Sequence, residues 1–251
     1  MNIDPVRGVA ITENSLLGGR LSLHQPARGY RVAIDPILLA AAVPVQAGET
    51  VLDVGAGVGT VSLCLARRVP AADIVGMERD EQLVALAREN AELNGLENVT
   101  FLAAAVGRGA PVPGNCFDHV VANPPYLELG KVNLSPLAEK RAAAVEEVDL
   151  EVWVDFCFSR LKPRGLLTLI HRADRVDTLI ALLKPKGGEI AIFPLWPRAG
   201  APARRVIIRC RKGAKSPARL LPGLVLHQDT EKFTAEAEAV LRQGASLDFR
   251  T

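Results

Sequence analysis

From residue 50 to residue 80 the chain reads TVLDVGAGVGTVSLCLARRVPAADIVGMERD. This is a β-branched run, three glycines at alternate positions, a helical spacing of apolar residues, and a second β-branched run ending in acids. Two strands separated by a helix cannot pair as a hairpin; they need a crossover, and crossovers place helices over both faces of a parallel sheet. The same alternation continues down the chain. EQLVALARENAELNGL has helical spacing and stops at Asn94-Gly95, a C-cap signal. NVTFLAAAV and FDHVVANPPY read as strands three and four, DLEVWVDFCFSRLKPRG as a helix closed by Pro163 and Gly165, and LLTLIH as strand five. A helix around 174–184 and apolar segments at 189–195 and 205–210 complete the pattern. The fold class this predicts is α/β, with a parallel sheet at its centre.

Two stretches carry chemistry. In VLDVGAGVGT, Asp53 precedes Gly55, Gly57 and Gly59 at a strand-to-helix turn, where glycines tolerate positive φ and let backbone approach a ligand. The spacing is G-x-G-x-G. Thr60 stands where a dinucleotide fingerprint has its third glycine, and a carboxylate at Asp53 would repel a pyrophosphate. That carboxylate suits the ammonium and sulfonium of S-adenosylmethionine, and Glu78, closing the second strand, is placed to accept both ribose hydroxyls. The other stretch is Asn123-Pro124-Pro125-Tyr126. Two prolines fix φ and remove two donors, so the turn offers the Asn123 amide, the Pro124 carbonyl and one flat ring. A planar substrate bearing an amino group fits such a turn.

Length and composition set limits on this reading. A chain of 251 residues with 49% hydrophobic content can bury the core of one domain. The start, MNIDPVRGVA, lacks the apolar region of a signal peptide, and no run reaches the roughly 18 apolar residues of a membrane span, so a cytoplasmic protein is expected. Cys64, Cys116, Cys157 and Cys210 are far apart in apolar surroundings and read as reduced, buried thiols, with no metal-like spacing. His171 reads as a residue at the end of strand five, and His24, His119 and His227 read as surface or packed histidines. The net charge of +2 hides an asymmetry: eight basic residues and no acid lie between Glu189 and Asp229. Arg204, Arg205, Arg209, Arg211 and Lys212 are candidates for gripping the phosphates of a nucleic acid, with a solvated face or sheet border as the competing reading. The stretches LELGKVNLSPLAEKRAAAVEE and PLWPRAGAPARR read as long loops flanking the ligand edge of the sheet.

With Asp53 to Gly59 as cofactor motif and Asn123 to Tyr126 as amino-methylating motif, the chain resembles the class I S-adenosylmethionine-dependent methyltransferases. Among these it is most similar to the bacterial valine-tRNA adenine-37 N6-methyltransferases, over about residues 5–245. The likeness includes QPARGYRVAIDPILLAAAV, whose Gly29, Tyr30, Arg31 and Asp35 match a G-Y/F-R-x-x-x-D pattern and imply cofactor contacts at Arg31 and Asp35. It implies a Rossmann-like, mostly parallel seven-stranded twisted sheet in a single domain. Residues 1–48 would form an extension shaping the pocket, 49–212 the core and 213–251 a C-terminal segment. It further implies S-adenosylmethionine as cofactor, tRNA as partner, no metal, and Asn123, Pro124, Pro125 and Tyr126 as catalytic residues, with Asn123 also touching the cofactor. Many relatives end strand three with an acid that meets the cofactor adenine; this chain has Ala103, Ala104 and Ala105 there. Release-factor glutamine methylation and rRNA base methylation use closely related turns and are the alternative activities.

Overall fold

The structure is a computed structural model; it describes residues 2–3, 10–27, 33–107, 109–125, 127–128, 145–146, 149–229 and 232–249. The chain opens on an antiparallel sheet of β1 (Asn2–Ile3), β2 (Ala10–Leu16) and β3 (Leu21–Pro26), followed by the short helix α1 (Asp35–Ala41). Then come β4 (Thr50–Val54), α2 (Thr60–Arg68), β5 (Asp73–Glu78), α3 (Glu81–Leu93), β6 (Val99–Ala103) and β7 (Phe117–Ala122). Next are the two-residue strands β8 (Leu127–Glu128) and β9 (Val145–Glu146), α4 (Leu150–Arg160), β10 (Leu161–Arg172) and α5 (Val176–Leu183). β11 (Gly187–Trp196), β12 (Arg205–Lys212), β13 (Arg219–Leu220), β14 (Leu224–Val225) and α6 (Ala235–Gln243) end the chain.

The central sheet runs β6-β5-β4-β7-β10-β12-β11, with β13 and β14 each pairing the outer edge of β11. β6, β5, β4, β7 and β10 are mutually parallel, and β12 is antiparallel to both its neighbours. The Rossmann-like sheet expected from the sequence is therefore present, with two short strands added at one edge. Alternation along each strand divides the core. Val51, Ile74, Val121, Ile170 and Ile207 face α1, α2, α3 and α6, while Leu52, Val120, Leu167, Leu169 and Ile208 face α4 and α5. Burial on both faces is why these strands read as near-continuous apolar runs. Strand order reverses between β4 and β7, and ligands of open α/β sheets bind in the crevice beyond the strand ends at such a switch point.

Three local outcomes depart from the sequence reading. The helix over DLEVWVDFCFSRLKPRG stops at Arg160, and Leu161 already pairs with Phe117, so Pro163 and Gly165 belong to an irregular start of β10 where the register shifts. Arg164 takes a positive φ of 66° within it. PLWPRAGAPARR is shorter as a loop than expected: β11 runs to Trp196, Pro194 pairs with Val206, and only 197–204 connect to β12. The hairpin of β2 and β3 has no counterpart in the sequence reading. Of LELGKVNLSPLAEKRAAAVEE, most lies outside the described residues.

Candidate cofactor and acceptor site

Val54 at the end of β4 is in register with Ala122 at the end of β7. The residues that follow are Gly55 and Asn123, so the glycine loop and the proline turn leave adjacent strands, about 5 Å apart, at the same level. Each glycine of the loop has a separate reason to be glycine. Gly55, Gly57 and Gly59 have φ of 76°, 56° and 89°. A Cβ on Gly55 would lie 2.8 Å from the Trp153 ring of α4, and one on Gly59 would lie 2.7 Å from the Phe101 ring of β6. A Cβ on Gly57 would meet nothing within 4 Å, so the loop is open on that side. Phe101 also fills the space left by Gly76, where a Cβ would be 2.4 Å from its ring. Gly76 and Phe101 thus support the loop from below, a pairing that only the β5–β6 register reveals.

Glu78 closes over the open side. Its Oε2 accepts the Gly57 N–H at 2.9 Å, and its Oε1 accepts the N–H groups of Arg79 and Asp80 at 2.8 and 3.1 Å. Half-buried and held by three backbone donors, it keeps lone pairs for a diol. Asp53 is placed differently from Glu78. It is 1% exposed, under the loop, and its Oδ2 accepts from both the hydroxyl (2.7 Å) and the N–H (3.2 Å) of Ser62 in α2. Burial pushes its carboxyl up to about 7, against the pull of the two Ser62 bonds. Its first role is to hold the start of α2 against β4, and its charge would act on a bound cation from beneath the loop. Ala104 donates its N–H to the Glu78 carbonyl at 2.8 Å and packs with the apolar cluster of β4 and β7, consistent with apolar contact at the end of β6.

A device the sequence reading missed ties the N-terminal hairpin to this loop. Asn90 of α3 is fully buried; its Oδ1 accepts the His24 N–H at 2.7 Å, and its Nδ2 donates to the carbonyls of His24 (2.9 Å) and Val58 (3.1 Å). One turn on, Asn94 repeats the pattern on Ser22, at 2.9 and 2.7 Å. The i, i+4 asparagines of RENAELNG were the available signal: two amides on one helix face match alternate residues of a strand.

On the acceptor side, Asn123 and Pro125 are half-buried and Pro124 is buried, while Tyr126 lies outside the described residues, as do Gly29, Tyr30 and Arg31. His171, 1% exposed, is the penultimate residue of β10, two residues beyond Leu169, which pairs with Ala122, so it stands level with Pro124. Burial, with Arg175 and Arg172 nearby, pushes His171 down to about 4; it is a neutral packed group at neutral pH.

The basic run proves to be divided along β12. Arg205, at the carboxyl edge, donates through Nε to Asp35 at 2.9 Å, so two residues expected in separate roles form one ion pair at the start of α1. Arg209 donates to the Ala42 carbonyl just beyond α1 and lies 3.5 Å over the Phe249 ring. Arg211 bonds Glu189 at 2.6 Å and the Arg164 carbonyl at 2.9 Å. Lys212 donates to Asn115, Phe158 and Leu161 at 2.6–2.8 Å. Arg209, Arg211 and Lys212 therefore serve the protein's own backbone and acids at the edge opposite the acceptor turn. Arg204, together with Arg198, is exposed on the loop at the turn's own edge. One cysteine is also a correction: Cys64, Cys157 and Cys210 are buried, but Cys116 is exposed. Among the described residues there is no cluster able to hold a metal ion, and no helix long and apolar enough to cross a membrane.

Residues 46–187 match the family model described as a methyltransferase domain. A protein of Aeromonas hydrophila named tRNA1(Val) (adenine(37)-N6)-methyltransferase is 31% identical over 186 residues, covering 73% of this chain and 77% of its own length. A release factor glutamine methyltransferase of Salmonella typhimurium is 31% identical over 144 residues, and the chain spans about half of that protein, 51%. Among solved structures, one from Agrobacterium tumefaciens described as a predicted O-methyltransferase superposes with a TM-score of 0.73 at 25% identity, over 86% of this chain and all of the other.

Proposed function

The chain belongs to the methyltransferase-domain family and takes its methyl group from S-adenosylmethionine, and from that premise we propose that the acceptor is N6 of an adenine in tRNA, at position 37 of a valine tRNA. The observation that carries this reading is the register of Val54 with Ala122, which sets Asn123 beside Gly55 on adjacent strand ends. The residues present fit the cofactor: a loop open at Gly57, an acid clamped above it and a buried carboxylate below.

S-adenosylmethionine supplies an electrophilic methyl group on a sulfonium. The protein's part is to present a nitrogen lone pair to it. In adenine that lone pair is delocalised into the ring, and two acceptors facing the two amine hydrogens redirect it. Asn123 Oδ1 and the Pro124 carbonyl are those acceptors in this proposal, and they stabilise the positive charge that develops on nitrogen. Pro125 keeps the turn rigid, and Tyr126 supplies a stacking face, worth about 1–3 kcal/mol per base. The amine proton leaves after transfer, so no strong base is required. Arg31 and Asp35 are proposed cofactor contacts, with Asp35 oriented by Arg205. Arg204 at the acceptor edge is the proposed phosphate contact, and Arg198 joins it on the same loop.

Release-factor glutamine methylation is the second reading, because a side-chain amide presents the same two hydrogens and a relative of that name matches. The test incubates the protein with labelled S-adenosylmethionine and, separately, total tRNA, total rRNA and release factor, and then analyses the modified residue. N6-methyladenosine at position 37 of valine tRNA is the expected product. Methylglutamine in the release factor, with unlabelled tRNA, would replace this reading by the second.

A further inference from the structure

A cavity of about 930 Å³ opens at the edge of the sheet opposite the methyl-transfer site. It lies between the end of α1, the end of α2, the amino end of β11 and the C-terminal residues 246–249. Among the described residues its charged groups are Arg68, Arg209, Arg211 and Arg219 against Glu189 and Asp248, an excess of two positive charges. Leu166, Val45, Leu247 and Phe249 supply apolar wall.

The guanidiniums are held in unfavourable surroundings. Burial, and then Arg68 alongside, pushes Arg209 down to about 10 although Asp248 opposes this. Burial lowers Arg68 as well. Capping α1 accounts for part of the cluster: Arg68 donates to the carbonyls of Ala40 (2.8 Å) and Val43 (2.5 Å), and Arg209 to that of Ala42. It does not account for all of it. Each guanidinium has five N–H donors; among the described residues Arg209 Nε is buried without an acceptor, and Arg219 meets no acid, bonding the Phe249 carbonyl at 3.3 Å. Glu189 is shared between Arg211 and Arg164, which lies outside the cavity lining.

We propose that this cavity is a second ligand site, for a small molecule carrying a phosphate monoester. A monoester bears about −1.5 to −2 charge at neutral pH and three acceptor oxygens, which matches the excess of two and the unused donors. A phosphodiester brings a single charge, so an RNA backbone matches less well. The volume leaves room for an apolar body against the exposed Pro44 and Pro217 at its rim. The site is independent of the reading of the methyl acceptor.

The probes are inorganic phosphate and phenyl phosphate, titrated calorimetrically into the full chain with S-adenosylmethionine present, so that the methyl-donor site is filled. Both should bind, phenyl phosphate the tighter, and chloride at matched ionic strength should not substitute. Arg209→Gln should weaken both by about tenfold or more, the scale of a hydrogen bond to a charged group. Because Arg209 also caps α1, two exposed positions serve as checks: Arg219→Gln should weaken both probes, and Ser246→Trp should block phenyl phosphate by filling the mouth. Methyl transfer in Arg219→Gln should match wild type. No binding by wild type, binding unchanged in Arg219→Gln and Ser246→Trp, or displacement of phosphate by unphosphorylated RNA would each overturn the assignment.

Discussion

Asp53 and Asp118 stand on neighbouring strands of one sheet, at opposite edges, and ionise at about 7 and about 2. Asp53, at the carboxyl edge, is buried and bonded by Ser62, with the Glu78 charge adding to the upward push. Burial also pushes Asp118 up, but Lys162 at 2.8 Å and the Thr50 hydroxyl and N–H outweigh it. Arginines are ion-paired at both edges, Arg211 with Glu189 at the amino edge and Arg205 with Asp35 at the carboxyl edge, while Arg198 and Arg204 are exposed on the loop between β11 and β12. Gly55, Gly57 and Gly59, all at positive φ, form the loop above Asp53. The carboxyl edge thus carries a buried acid held above its ordinary range beside an open glycine loop, and the amino edge carries an acid held below it by a lysine.

The largest expected effect lies at the carboxyl edge. Asn123→Ala should lower turnover about 10²–10³-fold, as removal of a preorganised group facing developing charge does, with the cofactor dissociation constant nearly unchanged. A matched change at the amino edge, Arg211→Ala with Lys212→Ala, should leave turnover per folded molecule intact. If the amino-edge pair fell as far as Asn123→Ala, the division between edges would not stand.

Much of that division is legible in the chain. VLDVGAG and VVANPP announce the two strand ends, because strand, turn and helix signals are local. The even spacing of Arg205, Arg209 and Arg211 puts them on one face of a strand. What that face meets is not legible: α1 lies more than 160 residues earlier, and nothing local in RRVIIRCRK records it. For the same reason Asp53 reads as lining the loop. The sequence shows its position beside the glycines but not that Ser62, early in α2, takes its carboxylate. Asn90 and Asn94 do not stand out in the sequence because their partners, His24 and Ser22, lie far away along the chain in a hairpin whose Gly18-Gly19 turn signal the sequence reading did not take up.

A pH experiment sharpens the contrast of the two acids. The folded-state ionisation of Asp53 lies above the unfolded value, so the folded chain binds the extra proton between about pH 4 and 7, and stability falls as pH rises through that window. Asp53→Asn should therefore raise the melting temperature at pH 8 more than at pH 4, by about 2–4 °C for each kcal/mol relieved in a domain of this size. Asp118 has the opposite sign: its contribution is present above about pH 4 and disappears as pH falls through about 2. Melting curves of Asp53→Asn that ran parallel to wild type at every pH would show that Asp53 is not the strained group.

The smallest effect concerns the partner. Arg198→Ala with Arg204→Ala should flatten the salt dependence of tRNA binding by about 0.7–0.9 in log–log slope for each phosphate that is no longer neutralised. The amino-edge pair should leave the slope alone. Filter binding across a salt series measures both, and equal slopes in the two double variants would move the RNA contact elsewhere.

The asparagine pair on α3 bears on how this protein behaves in a crowded solution. Ser22 and His24 present two N–H and two C=O groups along the outer border of β3, the groups that an invading strand from another molecule would use. Asn90 and Asn94 occupy all four, so a helix completes the hairpin as a further strand would. Recruitment of a foreign strand there requires α3 to detach first, and with it the Asn90 bond to the Val58 carbonyl. Protection of the sheet edge and the shape of the glycine loop thus share the Asn90 amide.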